Sequence, residues 1–286
     1  MKLFIGNLFL LLSLLRQFFK RNLSFKIKMP IAETNEIIIL GNGPSLTESL
    51  TKYEDLLKQK DIAVVNFFPL SPSFCLLTPK FLVLTDSAFW ENDLSEDVLR
   101  KIDRMGQILI EQVDWHLTIF LPYISHRASR FKNIILQNSR ISLKYYNSAS
   151  SPHGHKYLQH FFYKKNILMP VAQNVLIAAI FLSIQMRYPI VEILGADHSW
   201  LSELSVLPDN ILYIRDTHFY DKEINYTPFY SNKIKGETFK VNEVLSILSI
   251  TFSSYWKLNA YAKDQNITIY NCTENSFIDA FERKRL

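Results

Sequence analysis

Five residues carry the clearest chemical potential in this chain: Gly41-Asn42-Gly43-Pro44-Ser45, set directly after the apolar run Ile37-Ile38-Ile39-Leu40. Gly41 and Gly43 permit backbone angles that other residues resist, and they let a ligand approach the main chain closely. Pro44 fits the first turn of a helix, and Ser45 can offer its hydroxyl near the helix start. A strand that ends in such a turn and opens a helix suits a phosphate, because free backbone N–H groups and the positive helix end favour an anion. The stretch does not have the GxGxxG pattern and holds no Lys of a Walker loop. The competing reading is a plain tight turn between strand and helix.

Three more strand-like runs end in small or polar residues. Ile62-Ala63-Val64-Val65 ends at Asn66, Phe81-Leu82-Val83-Leu84 at Thr85-Asp86, and Val191-Glu192-Ile193-Leu194 at Gly195-Ala196-Asp197. Singly, each polar residue reads as a turn former or helix cap. Together with Asn42 they make four strand ends, and ligands of open α/β sheets sit beyond the carboxyl ends of the strands. They are therefore expected to converge on one crevice.

Histidine supplies the candidate proton carriers, since its ordinary pKa lies near neutrality. His218 sits in RDTHFYDKE with Asp216 and Asp221 as orienters, and His198 stands beside Asp197. Tyr220, Tyr226 and Tyr230 are the nearby phenols. His153, His155 and His160 have no Cys or acidic partners in metal-ligand spacing, and the segment 147–160 is expected to be a mobile loop on the acceptor side. Asp114 and Asp221 stand alone and form no DxD pair, so no metal site is expected.

These residues need a frame. Residues 48–60 carry Leu50, Tyr53, Leu56 and Leu57 at helical spacing, and 94–105 reads as a second helix. The segment 173–188 is almost wholly apolar and reads as a helix buried against a sheet. A long helix follows over 241–262, and a last strand over 267–270. Further strands are expected at 107–110, 118–121 and 133–136. Strands alternating with helices imply an α/β, Rossmann-like, mostly parallel sheet with helices on both faces.

The chain has 286 residues, 48% of them apolar, with a net charge of +5. The length allows one large or two small domains. The modest positive excess gathers at the N-terminus, which favours a membrane surface over nucleic acid. Cys75 and Cys272 are far apart in sequence and suit a reducing compartment. Residues 3–15 form a short apolar run, followed by Arg16, Lys20, Arg21, Lys26 and Lys28, with no acid before Glu33. The run is shorter than the roughly 20 residues of a spanning helix. It reads as a membrane-associated segment over residues 1–30, with an interfacial helix ahead of a short signal anchor and of an extension upstream of a start at Met29. The expected location is the cytoplasmic face of a membrane, peripheral or N-terminally anchored.

The pieces IIILGNGPSL, DIAVVNFF, FLVLTDSAFW, EILGADHSW and ITIYNCTENSF together resemble the bacterial sialyltransferases of glycosyltransferase family 42. The resemblance spans about residues 36–281, is strongest at the ends, and is weak over 106–169. It implies a GT-A-type variant of the α/β fold over residues 31–286, with a smaller acceptor-side lid at about 201–240. It also implies an inverting, metal-independent transfer from a CMP-sugar donor, with no other cofactor, to a surface glycan such as lipopolysaccharide or capsule.

By resemblance, Asn42, Gly43 and Ser45, with Gly41 and Pro44 in the same turn, and Asn66 serve the donor nucleotide and its phosphate. Asp86 stands where the family more often has Asn, and Gln173 and Asn174 where it has a small Thr-Ser-Gly turn. Gly195, Asp197 and His198, with Ser199 beside them, match the strand end that lines the cytidine. The family places an aromatic and a Tyr after its Gly-x-Asp; here the order is Asp197-His198-Ser199-Trp200, so Tyr226 or a neighbouring Tyr must supply the hydroxyl. The family's catalytic His lies before the last long helix, where this chain has only His218. The candidate catalytic residues are thus His218, His198 and Tyr226. The implied partners are the donor, the glycan acceptor, a membrane surface and a second copy of the chain, with no nucleic acid. Two alternatives stay open: a phosphotransferase resembling pterin diphosphokinases, with Asp86 and Asp197 as magnesium ligands, and a non-catalytic nucleotide-binding module.

Overall fold

The computed structural model describes residues 2–20, 22–91, 94–128, 130–215, 226–231 and 236–286. Its centre is an eight-stranded sheet built from β1 (Glu36–Leu40), β2 (Asp61–Val65), β3 (Phe81–Val83), β4 (Leu117–Pro122), β5 (Ile141–Tyr146), β6 (Ile190–Leu194), β10 (Thr268–Asn271) and β11 (Glu282–Arg283). The order is β11-β10-β6-β1-β2-β3-β4-β5, and every pairing is parallel. β1 sits at the point where the order reverses, with Ile39 level with Ala63 of β2 on one side and Ile193 of β6 on the other.

Alternation along the strands divides the core in two. Ile37 and Ile39 face one layer with α7 (Val175–Gln185) and α8 (Val241–Asp264), where Ile177, Ile180, Tyr255 and Leu258 are buried. Ile38 and Leu40 face the other, with α2 (Leu46–Leu57), α3 (Ser73–Leu77), α4 (Glu96–Glu111) and α5 (Arg130–Ile135). Both faces are covered, which is why the inner strands are largely apolar runs, with buried Glu192 of β6 as the exception. α7 has nine buried residues, so its apolar character extends all round.

Part of the expected order is corrected. Residues 107–110 lie inside α4, and 133–135 inside α5. The strand of that region is β5, at the sheet edge, where Ser142 and Lys144 interrupt the apolar pattern. The described part of 201–240 holds a separate three-stranded antiparallel sheet of β7 (Leu204–Val206), β8 (Leu212–Ile214) and β9 (Thr227–Pro228).

The segment 147–160, expected to be a loop throughout, holds the dock for α1 (Lys2–Phe19) and the first turn of α6 (Lys156–Lys164). Leu10 is fully buried, with side-chain atoms so near Gly154 that a Cβ there would lie 2.3 Å from Leu10 Cδ1. The His155 N–H donates to Asn7 Oδ1 at 2.8 Å, and Phe9 packs on His153 with ring centroids 5.6 Å apart. Ser24 and Asn147 exchange two further hydrogen bonds, at 2.9 and 2.7 Å. His160 is engaged by Asp264, whose carboxylate lies 2.7 Å from Nδ1. No helix among the described residues is long and apolar enough to cross a membrane.

Candidate functional site

The carboxyl ends of β1, β2, β3 and β6 open onto one cavity of about 660 Å³. Among the sequence candidates, Gly41, Asn42, Gly43, Pro44, Asn66, Asp86, Gln173, Asn174, Gly195, Asp197, His198 and Ser199 line it. Ser45 lies behind the wall and Tyr226 outside it; Tyr226 approaches through Arg215, whose guanidinium carbon is 5.9 Å from the Tyr226 ring centre. His218, with Asp216, Tyr220 and Asp221, lies outside the described residues. Thr85, Ser87, Trp200, Glu203 and Arg215 also line the cavity and were not singled out from the sequence.

The turn after β1 is clamped to the strand end of β6. The Gly41 N–H donates to Leu194 O at 2.8 Å and the Gly43 N–H to Gly195 O at 2.9 Å. Gly195 has φ +68°, and a Cβ there would lie 2.8 Å from Leu46 Cβ, so this bend needs a glycine. The start of α2 is occupied from within. Asp197 accepts the Ser45 N–H at 3.3 Å through Oδ1 and the Ser45 hydroxyl at 2.9 Å through Oδ2. Ser45 therefore does not cap α2 with its own side chain, and the carboxylate takes the place expected for a phosphate. Burial pushes the Asp197 carboxyl pKa up, against the Ser45 hydrogen bonds, which lower it.

Asn42 is left as the reactive member of the turn. Its N–H has no backbone partner among the described residues. Its Nδ2 donates to Val65 O at 3.3 Å, which fixes the amide orientation, and its buried Oδ1 has no partner among the described residues. Asn66 ends β2 in the left-handed region at φ +46°, a position Asn tolerates, and its Oδ1 accepts the Thr85 N–H at 3.4 Å. Asp86 accepts the Ala88 N–H and so caps the short 3-10 turn Ser87–Phe89.

The opposite wall is organised by Asn174, the N-cap of α7. Its Oδ1 accepts the Ile177 N–H at 3.2 Å, which turns Nδ2 toward Tyr255 Oη at 3.0 Å and His198 Nε2 at 3.3 Å. Tyr255 Oη lies 2.5 Å from the same Nε2. Tyr255 Oη also lies 3.2 Å from Asn174 Oδ1 and can donate to either acceptor; the amide NH2 beside Nε2 favours a bare Nε2 that accepts from Tyr255, with the ring proton on Nδ1. Burial lowers the His198 pKa to about 3, so the ring is neutral at physiological pH. Its backbone is left-handed at φ +54°, and the Trp200 ring lies 4.3 Å away. The 3-10 turn Ser199–Glu203 then carries Glu203, whose Oε2 is 2.5 Å from Arg215 Nε. Tyr255 escaped the sequence reading because nothing local marks one Tyr of a long buried helix as a polar partner.

Among the described residues no group of three or more His, Cys, Asp or Glu side chains is placed to hold a metal ion. No protein-family model matches the chain, and no curated protein sequence matches it. Among solved structures it is similar to the MAf glycosyltransferase from Magnetospirillum magneticum AMB-1, at 12% identity and a TM-score of 0.49, over 90% of this chain. The match covers 35% of that protein, so this chain spans about a third of its length.

Proposed function

We propose that this chain is a glycosyltransferase that takes a sugar from a CMP-activated donor and passes it, with inversion and without a metal, to a surface glycan. Asn42 carries the reading. It stands at the switch point of the sheet, in the turn that resembles the sialyltransferase one, it lines the cavity, and its N–H has no partner among the described residues. A backbone N–H without a protein acceptor suits a phosphoryl or carbonyl oxygen of a bound ligand. The cavity volume falls within the roughly 300–1,000 Å³ of small-ligand sites. The phosphotransferase alternative is weakened by Asp197, because both its oxygens are engaged by Ser45 and Asp86 is left as the lone candidate magnesium ligand. In this reading His218 takes the proton of the acceptor hydroxyl.

A thermal-shift panel of CMP, CDP, UDP, GDP and ATP tests the donor, since a ligand that binds only the folded state raises the melting temperature. CMP is expected to give the largest shift. A flat panel removes the nucleotide reading, and a shift with ATP that depends on magnesium returns the phosphotransferase.

The enzyme works at the cytoplasmic face of a membrane, held by the outer face of α1. With Leu10 buried against the body, Leu8, Leu12, Leu15 and Phe19 form one outward row at i, i+4, i+7 and i+11, each close to half exposed or more. Arg16, Lys20, Lys26 and Lys28 accompany it, suited to anionic head groups. Changing the four apolar residues to Gln is expected to release the protein from vesicles of phosphatidylserine and phosphatidylcholine while the CMP shift persists. Undiminished co-sedimentation would place the attachment elsewhere. Deleting all of α1 is a poorer test, because it uncovers the buried contacts of Leu10.

A further inference from the structure

Histidines in transferase sites are first suspected as bases, yet the tautomer that best suits Asn174 and Tyr255 leaves His198 no free lone pair. Nε2 already accepts from Tyr255, and Asn174 cannot turn its NH2 away without losing the cap of α7. The remaining polar atom of the ring is the Nδ1–H, which makes no hydrogen bond to a described residue. His198 lines the cavity and leads directly into the short 3-10 turn whose Glu203 holds Arg215. A neutral N–H donor and a guanidinium thus share one wall. The start of α2, on the other side, already faces the Asp197 carboxylate. A second anion there would meet like charge, whereas on the His198 wall the Glu203 carboxylate is already met by the Arg215 guanidinium.

We infer that His198 is a neutral Nδ1–H donor to a phosphoryl oxygen of the bound nucleotide, fixed in that tautomer by Asn174 and Tyr255, and that the phosphate lies against the His198–Arg215 wall and not at the start of α2. The inference rests on the nucleotide reading above and moves the phosphate within that site. Tyr255 and Asn174 are positioning residues: they touch His198 and act through it.

Two measurements separate the parts. In the ligand-free full chain with 15N-labelled histidine, the His198 ring is expected to show the Nδ1–H tautomer at pH 7. Tyr255→Phe is expected to mix the tautomers while leaving the other His signals in place. An Nε2–H or doubly protonated ring in the wild type overturns the inference whatever binds. Calorimetry then compares CMP with cytidine, which lacks the phosphate.

His198→Gln, whose amide reaches toward the Nε2 position, is expected to weaken CMP by about 10- to 100-fold, the worth of one hydrogen bond to a charged group. Cytidine binding should change little. His198→Asn places an amide N–H near the Nδ1 position and tolerates the left-handed backbone, so it is expected to recover most of the CMP affinity. Equal losses for CMP and cytidine in His198→Gln, or no recovery with Asn, overturn the phosphate assignment. If the wild type binds neither probe, the nucleotide reading falls and takes the phosphate assignment with it, while the tautomer is decided by the spectrum alone.

Discussion

Gly41→Ala is expected to abolish CMP binding and to lower stability by about 1–3 kcal/mol, the usual cost of forcing extra volume into a packed site. A Cβ at Gly41 would lie 2.4 Å from the Gly195 carbonyl oxygen and 3.0 Å from its carbon. Both are backbone atoms and cannot swing aside as a side-chain tip can. The Gly41 N–H also donates to Leu194 O, so the clash falls on the seam that joins β1 to β6. Parting that seam moves Asn42 away from the cavity and draws Asp197 off the start of α2. Gly43→Ala is the informative companion. Its Cβ would meet Asp197 Oδ2 at 1.9 Å and the Gly195 oxygen at 2.8 Å. The carboxylate can rotate, so the stability loss should be the smaller of the two, with the Ser45 hydrogen bonds lost. Urea unfolding with a CMP thermal shift measures both effects. A wild-type midpoint and an unchanged shift in Gly41→Ala would show that this turn is no part of the site.

Removing Glu192 is expected to cost more, about 3–5 kcal/mol, because Lys60, whose side chain is only 12% exposed, then keeps Glu36 alone as its counter-charge. Glu192 is fully buried in the middle of β6, level with Ile38 of β1 and Tyr270 of β10. Its two oxygens meet Lys60 Nζ and Lys284 Nζ, each at 2.6 Å, and Lys60 also meets Glu36 at 2.6 Å. Burial pulls the Lys60 pKa down, but the hydrogen bonds and charges of Glu192 and Glu36 outweigh it and leave the value raised above 10.5. That contribution is complete below pH 10.5 and fades only as the pH climbs through the folded value. Glu192→Ala should therefore shift the urea midpoint strongly near neutrality. Glu192→Met combined with Lys60→Met should recover much of the loss, since neither charge is then left buried alone. A cost under about 1 kcal/mol for Glu192→Ala, as for an exposed pair, would mean that water reaches the network.

Much of the fold was legible before any coordinates. β1, β2, β3, β6 and β10 are short apolar runs closed by turn residues, as strands buried on both faces must be. α7 declared itself by length and by the lack of a polar face. The errors fall where a short apolar run suits either state. Ile108, Leu109 and Ile110 end a helix whose start is marked by the Ser95 cap, and Ile134-Ile135 belong to a helix over 130–135. β5 was missed because an edge strand needs apolar residues only where it meets the core.

The site divides along the same line. Asn42, Asn66, Asp86 and Asp197 could be gathered from the sequence because parallel strands must all end on one edge, and that edge follows from the order of elements alone. What each residue does there depends on contacts across the fold. Asp197 reaches Ser45 across 152 positions and fills the helix start that the glycine turn seemed to hold open. Tyr255 reaches His198 across 57 and sets its Oη 2.5 Å from Nε2. Leu10 meets Gly154, which makes a histidine-rich segment a dock for the N-terminal helix. Local sequence determined where backbone turns and strands end, because steric preference and burial act within a few residues. Only the tertiary structure decided which donors meet which acceptors, because hydrogen bonds and charges pair by proximity in space.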